Sequence, residues 1–190
     1  MKLWILSDLH ADKGIEDIAV HAPDFDVLVC AGDMLTGDIA GSIEMTAAIA
    51  RGKPAIFVAG NHEWMTAADM EEVLDEAHAT ARREGVQFLE CDSVEVGGVT
   101  FAGATLWTPD DVRFRPSMDF LERAGADVVI THFEPPDDLL LVVGAKLWVY
   151  GHHHGHFDRA VGITRVVRNA RGYWHESTDG AVREDYVVEV

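Results

Sequence analysis

Five short blocks of this chain carry side chains that bind metal ions or move protons: Asp8-Leu9-His10, Gly32-Asp33, Gly60-Asn61-His62-Glu63, Thr131-His132 and Gly151-His152-His153-His154. In the first block the i, i+2 spacing directs Asp8 and His10 to one side of an extended segment, offering an oxygen and a nitrogen to one ion. Asp33 follows a glycine that lets the backbone turn sharply, and its two carboxylate oxygens can bridge two ions. In isolation it reads rather as an aspartate in a turn. Gly60-Asn61-His62-Glu63 is the most specific block, because the chain holds only two asparagines. The Asn61 amide oxygen ligates a metal without adding charge, and His62 beside it can face a substrate. His152 and His154 share a face and can serve different ions, whereas His153 points away. His153 and His156 also read as solvated surface, and His132 alone would read as a core or capping histidine. Jointly, Asp8, His10, Asp33, Asn61, His132, His152 and His154 describe a two-metal hydrolytic site.

Each block directly follows an apolar run, at 3–6, 27–30, 55–58, 128–130 and 147–150. Such runs read as buried strands, and in open α/β architectures chemistry collects where strands end. The pattern predicts a helix over 38–50 stopped by Gly52. A longer helix follows Asn61-His62, opened by a Thr66/Asp69 capping pair, striped by Met70, Val73, Leu74 and Ala77, and ended by Gly85. The second half changes character. It reads as a hairpin of 94–96 and 99–101 about Gly97-Gly98, a short helix from Pro116 to Gly125, a hairpin of 160–161 and 163–167 about Gly162, and a last strand over 186–190. A helix-rich first half and a hairpin-rich second half imply an α/β fold of two packed sheets with helices outside.

A length of 190 residues, 48% of them hydrophobic and without repeat or linker, predicts one domain spanning 1–190. No apolar run reaches the roughly 20 residues that cross a bilayer, and the first residues enter a strand at once, so a cytoplasmic protein without a membrane partner is expected. Cys30 and Cys91 match no zinc spacing and read as reduced thiols. The formal charge of −18 repels the backbone of a long nucleic acid, which leaves small molecules as the expected partners.

With all five blocks present in this order, the chain resembles the calcineurin-like metallophosphoesterases of small bacterial type over residues 3–173. Leu106-Trp107 and Asn169-Ala170-Arg171-Gly172-Tyr173 add to the likeness. The resemblance implies the metallo-dependent phosphatase fold, a four-layer αββα sandwich of two mixed β-sheets flanked by helices. It implies that Asp8, His10, Asp33 and His154 hold one divalent ion, that Asp33, Asn61, His132 and His152 hold a second, and that His62 is a catalytic histidine outside the ligand set. The implied activity is hydrolysis of phosphate esters by water activated between the ions, with small phosphodiesters favoured. A phosphomonoesterase, or a non-catalytic metal-binding scaffold, are the other readings. Mixed nitrogen and oxygen ligands suit Mn, Fe, Zn, Co or Ni.

The chain also departs from the family pattern. Phe133 stands where relatives often carry a second histidine, and Ala170 where they often carry proline. Thr36 stands where many have an aspartate that orients the catalytic histidine, which makes Asp38 the expected substitute. The stretches 107–127 and 132–151 run to only about 20 residues each, too short for the helices that relatives insert there, so an open site without a capping element is expected. Arg113, Arg115, Arg168 and Arg171 are the arginines near the motifs. Arg171 reads first as a surface arginine paired with an acid, and its alternative is a clamp on a substrate phosphate.

Overall fold

The computed structural model describes residues 1–13, 22–65, 70–173 and 183–190. Its apolar runs form strands buried on both faces, so each strand feeds two hydrophobic layers at once. In β1 (Lys2–Leu6), Leu3 and Ile5 face the interior between two sheets, while Trp4 and Leu6 face helices. The first sheet has the order β11-β1-β2-β3-β4, with β2 at Val27–Ala31, β3 at Ala55–Val58, β4 at Val86–Phe88 and β11 at Val187–Glu189. All its pairs are parallel except β1 with β11. The second sheet has the order β5-β6-β7-β8-β10-β9. Its strands are β5 (Asp92–Val96), β6 (Val99–Ala104), β7 (Val128–Thr131), β8 (Leu147–Tyr150), β9 (Gly155–Val161) and β10 (Thr164–Ala170). Here β6, β7, β8 and β10 run parallel, and the edge strands β5 and β9 pair antiparallel.

Between the sheets, Leu3, Ile5, Val29 and Val58 pack with Phe101, Ile130, Leu147 and Val149. On the far side of the first sheet, Trp4, Leu28 and Phe57 meet Ile39 and Ile43 of α1 (Ile39–Ala50) and Ala77 and Ala81 of α2 (Met70–Glu84). On the far side of the second, Val129, Trp148 and Tyr150 meet Met118 and Leu121 of α3 (Phe114–Ala124) and Leu139 and Leu140 of α4 (Asp137–Val143). Two mixed sheets flanked by four helices form the αββα sandwich that the strand pattern implied. Among the described residues, no helix is long and apolar enough to cross a membrane.

Two elements escape the sequence pattern. β4 spans three residues and α4 seven, both too short to display a period. Both short stretches after Trp107 and His132 contain a helix, but α3 and α4 lie against the outer face of the second sheet, not over the strand ends. Pro116 falls inside the first turn of α3 rather than opening it, where a missing N–H costs nothing. The Thr66/Asp69 pair lies outside the described residues.

The sheets are stitched together beside β1. Buried Asn169 donates its side-chain amide to Ile5 O at 2.8 Å and to Arg183 O at 2.9 Å. Ser7 N donates to Asn169 O at 3.2 Å, and Arg171 N to Ser7 O at 3.0 Å. The end of β10 is thereby fixed against the end of β1.

A second brace joins β3 to β6. The Thr105 hydroxyl lies 2.9 Å from Ala59 O and 2.6 Å from Glu90 Oε2, and receives Trp64 Nε1 at 3.1 Å. One hydroxyl hydrogen cannot serve two acceptors. A protonated Glu90 resolves the count by donating to Thr105, which donates to Ala59. Consistently, burial pushes the Glu90 carboxyl up to about 7, against weaker lowering by its bonds to Thr105. The native state therefore holds a proton that the unfolded chain releases, so this contribution to stability is complete in mild acid and declines as pH rises to about 7. Denaturant midpoints across that range are expected to fall less with pH in Glu90→Gln than in the wild type. Parallel curves for the two proteins would exclude a retained proton.

Candidate metal centre

All the blocks read from sequence sit at carboxyl ends of strands: Asp8 and His10 beyond β1, Asp33 beyond β2, Asn61 and His62 beyond β3, His132 beyond β7, and His152 and His154 beyond β8. Four of these residues occupy the left-handed region, with φ of 54° at Asp8, 44° at His10, 57° at Asp33 and 65° at His152. Such strain persists only where the surroundings over-determine it. Here the loops are laced to one another: Asp8 N donates to Gly32 O at 2.8 Å, His10 N to Asp33 O at 3.0 Å, and Gly151 N to His132 O at 2.9 Å. His62 N donates to Asp33 Oδ1 at 2.9 Å, and His152 N to Asp8 Oδ2 at 3.1 Å. Close approach also demands glycine. A Cβ on Gly32, whose φ is 86°, would meet Gly60 N at 2.5 Å and His132 Nδ1 at 2.7 Å.

The side chains converge as three overlapping groups, Asp8/His10/His154, His10/Asp33/His62 and Asp33/His132/His152, within each of which the ligand atoms lie no more than 4.8 Å apart. Asp33 belongs to two of them. Its Oδ1 is taken by the His62 N–H, while Oδ2 stands 3.4 Å from His132 Nε2 and 3.9 Å from His10 Nε2. Asn61 Oδ1 lies 3.0 Å from His132 Nε2 and 3.1 Å from His152 Nδ1. His152 joins the third group and His154 the first, so the two divide as their spacing suggested.

The donor chemistry fits divalent cations. His10 Nε2 and His154 Nε2 point at each other across 3.2 Å, and burial drives His10 down to about 4, so its ring is neutral near pH 7. Burial and then the neighbouring His132 likewise drive His152 down to about 4. Among the described residues, Asp8 Oδ1 and His10 Nδ1 are buried without a hydrogen-bond partner, an arrangement that needs an explanation in a folded protein. Burial raises Asp8 to about 6 despite the pull of His132. For Asp33 burial opposes ionisation, but His132 and the His62 N–H outweigh it and hold the carboxyl down to about 2. The neutral imidazoles of His10 and His152 and the buried carboxylates, aimed at shared points, suit a first-row divalent metal. At His132 burial is outweighed by Asp33, which raises the ring to about 9, so a metal there would displace its proton.

Some expected residues lie elsewhere. Asp38 caps α1, accepting from Gly41 N at 2.7 Å, and does not orient His62. That contact comes from Thr36, whose Oγ1 is 3.2 Å from His62 Nδ1 and which also bonds the Asp12 carboxylate. Arg113 is bound to Asp111 at 2.7 Å through Nε, Arg115 to Asp119 at 2.8 Å, and Arg168 to Tyr150 Oη at 3.2 Å. Only Arg171 among the four keeps a buried Nη1 without a partner among the described residues. His153 is exposed, 3.6 Å from Glu134, and His156 packs on Tyr186 with ring centroids 4.5 Å apart. Two residues near His62 carried no sequence signal of a role. Tyr173 stacks on His10 with centroids 4.4 Å apart and brings its hydroxyl to 3.4 Å from His62 Nε2. Glu63 is 2% exposed and accepts from the backbone N–H groups of Asp33, Met34, Leu35 and Gly60.

Residues 1–156 match the family model described as calcineurin-like phosphoesterase. The chain belongs to the calcineurin-like phosphoesterase family. Solved structures with the same fold include a phosphopantetheinyl hydrolase from Mycobacterium tuberculosis, at TM-score 0.61 and 19% identity over 90% of this chain and 89% of that one. The protein TT1561 of Thermus thermophilus aligns at TM-score 0.60 and 13% identity, covering 90% of this chain and 89% of that one. A putative 5′-nucleotidase from Staphylococcus aureus aligns at TM-score 0.58 and 14% identity over 89% of this chain and 48% of that one. No curated protein matches the chain by sequence. Membership in this family makes the chain a metal-dependent phosphoester hydrolase by kind, acting on small phosphate esters.

Thr36 supplies a hydroxyl where many members of this family use a carboxylate. Thr36→Val, which keeps shape and removes the hydroxyl, is expected to lower turnover roughly 10–100-fold at unchanged metal content, while Thr36→Ser retains most of it. Wild-type turnover in the valine variant would show that His62 is held by other contacts.

Proposed function

We propose that this protein hydrolyses small phosphodiesters at a centre of two divalent ions. Asp8, His10, Asp33 and His154 would hold one ion, and Asp33, Asn61, His132 and His152 the other. The observation that carries this reading is the position of Asp33 Oδ2 between His132 Nε2 and His10 Nε2, at 3.4 and 3.9 Å, with a ligand group on either side. When bound, such a pair lowers the pKa of water toward neutrality and offsets charge developing on phosphoryl oxygens. Mn, Fe, Zn, Co and Ni all suit the nitrogen and oxygen set.

The chain's own residues do the rest. His62 Nε2 lies 4.0 Å from Asp33 Oδ2, at the edge of the ligand set, and its side chain is the more exposed partner at 19% against 3%. It is therefore the residue that hands a proton to the departing alcohol oxygen. Thr36 bonds the carboxylate of Asp12 and so offers its oxygen lone pair to His62 Nδ1–H. With hydrogen on both ring nitrogens, the Nε2–H is then directed at the substrate and gives up the proton that the leaving oxygen takes, beside the Tyr173 hydroxyl. Arg171, whose Nη1 has no partner among the described residues and whose backbone is tied to Ser7, clamps a phosphate oxygen. Charge favours diesters. A diester brings one negative charge into a chain of net −18, whereas a monoester brings two, and among the described residues Arg171 alone of the four arginines near the motifs keeps an unpartnered nitrogen to meet it.

Reconstitution with Mn²⁺ is expected to give two ions per chain and hydrolysis of bis(p-nitrophenyl) phosphate that chelator abolishes. Asp33→Ala should lose both ions. His62→Ala should keep them and lose roughly 10²–10⁴-fold in turnover, and Arg171→Ala should raise KM at intact folding. Trace metal after reconstitution contradicts the two-ion reading, and near-wild-type turnover of His62→Ala on a diester with a poor leaving group contradicts the proton assignment. Faster turnover of monoesters would reverse the preference argued from charge.

A further inference from the structure

Beside the ligand set, and continuous with it through His152, lies an open cleft of about 560 Å³. That volume falls in the range of roughly 300–1,000 Å³ typical of small-molecule sites. Its walls include Trp107, Phe133 and Pro135, and its rim includes Glu134, Asp137 and Arg159. Phe133 forms the junction: its ring centroid is 4.3 Å from that of His152 and 6.3 Å from that of Trp107.

The aromatic wall is held rigid. Trp107 carries the Arg113 guanidinium over its ring at 3.2 Å, and that guanidinium is fixed in turn by Asp111. Trp64 backs Trp107 at 6.1 Å. Leu106 and Trp107 both sit at positive φ, 67° and 42°, a strained pair kept in place by this packing. A preorganised wall spares a ligand the entropy of ordering it.

Charge decides what kind of ligand suits the cleft. Its one arginine, Arg159, lies 4.0 Å from Asp137, and Glu134 adds a further carboxylate beside His153. The two carboxylates outnumber the guanidinium. A second phosphate placed here would face net negative charge, so the occupant is uncharged. Facing rings and prolines rather than aliphatic side chains, it is also planar.

The geometry points to this cleft as the binding site for the uncharged aromatic alcohol portion of the phosphate ester, an aryl or nucleoside group stacked on Phe133. This assignment rests on the hydrolase reading for the phosphate end alone. Phe133, which replaces a histidine common in the family, is then a specificity residue.

Calorimetric titration of the Mn²⁺-loaded protein tests it without turnover. Adenosine is expected to bind saturably at one site per chain, and glycerol, a neutral alcohol without a ring, is not. Phe133→Ala and Phe133→Leu should each weaken adenosine binding by roughly tenfold or more, and Phe133→Tyr should restore it, in line with the measured worth of base stacking on aromatic side chains. The leucine variant keeps the apolar volume and guards against a folding defect. Adenosine binding no better than glycerol, or unchanged in both the alanine and leucine variants, overturns the assignment. A protein that binds adenosine through Phe133 yet hydrolyses no ester refutes the hydrolase reading and leaves the cleft. One that hydrolyses small diesters but ignores adenosine refutes the cleft alone.

Discussion

The geometry of the whole site depends on one buried carboxylate that binds no substrate and belongs to none of the ligand groups. Glu63 Oε2 accepts from Asp33 N at 2.9 Å and Gly60 N at 2.7 Å, and Oε1 from Met34 N at 2.7 Å and the Ser42 hydroxyl at 2.9 Å. The loop after β2, the loop after β3 and the start of α1 are thereby tied to a single group. Burial and then the nearby Asp33 push Glu63 up to about 7, yet every close neighbour is a donor. A proton on Oε2 would confront two backbone N–H groups, and one on Oε1 would need the Ser42 hydroxyl to reverse beside the Met34 and Leu35 N–H groups. The ionised form is therefore the one this geometry accepts, and charge-assisted bonds to N–H groups are the strong kind.

The remaining constraints extend from this clamp. With Asp33 held at φ 57°, its Oδ1 accepts the His62 N–H, which sets the Asp33 carboxylate and the His62 ring at a fixed separation. The second sheet adds its ligands through contacts that only small residues permit. A Cβ on Gly151 would meet Ala31 O at 2.6 Å and Asp8 Oδ2 at 2.7 Å, so the strand ends of the two sheets close on each other only with glycine there. His132, fully buried, bonds Ala31 O through Nδ1 at 2.8 Å and turns Nε2 toward Asn61 and Asp33. A backbone contact thus fixes which nitrogen faces the site.

Much of this was legible because strands announce themselves and ligands follow them. The runs before Asp8, Asp33, Asn61, His132 and His152 are continuous apolar segments of three to five residues, and burial on both faces explains why they do not alternate. The two-residue spacing suggests only that His152 and His154 serve different groups; the place of His154 beside His10, and of His152 beside His132, is what the family resemblance implies. What stayed hidden depends on tertiary approach. Glu63 looked like the tail of a motif, since nothing in sequence says that four backbone N–H groups will surround it. Thr36 is visible as a departure but not as the partner of His62, and Asp38 is the nearby carboxylate, although its N-cap position commits it to capping α1. Tyr173 reaches His62 from 111 residues away, a contact that no local pattern encodes. α4 was missed because seven residues between Pro136 and Gly144 show too little periodicity.

The clamp is open to a direct measurement in Glu63→Gln, a nearly isosteric change. In either orientation the amide nitrogen meets at least two of the donors that the carboxylate accepted, and each buried donor left unpaired costs about 1–3 kcal/mol. Metal stoichiometry of the reconstituted variant, measured alongside its melting temperature, should show fewer than two tightly held ions and a lowered transition. Two ions bound as tightly as in the wild type, at an unchanged melting temperature, would contradict the role given to Glu63 as the group that holds the centre together.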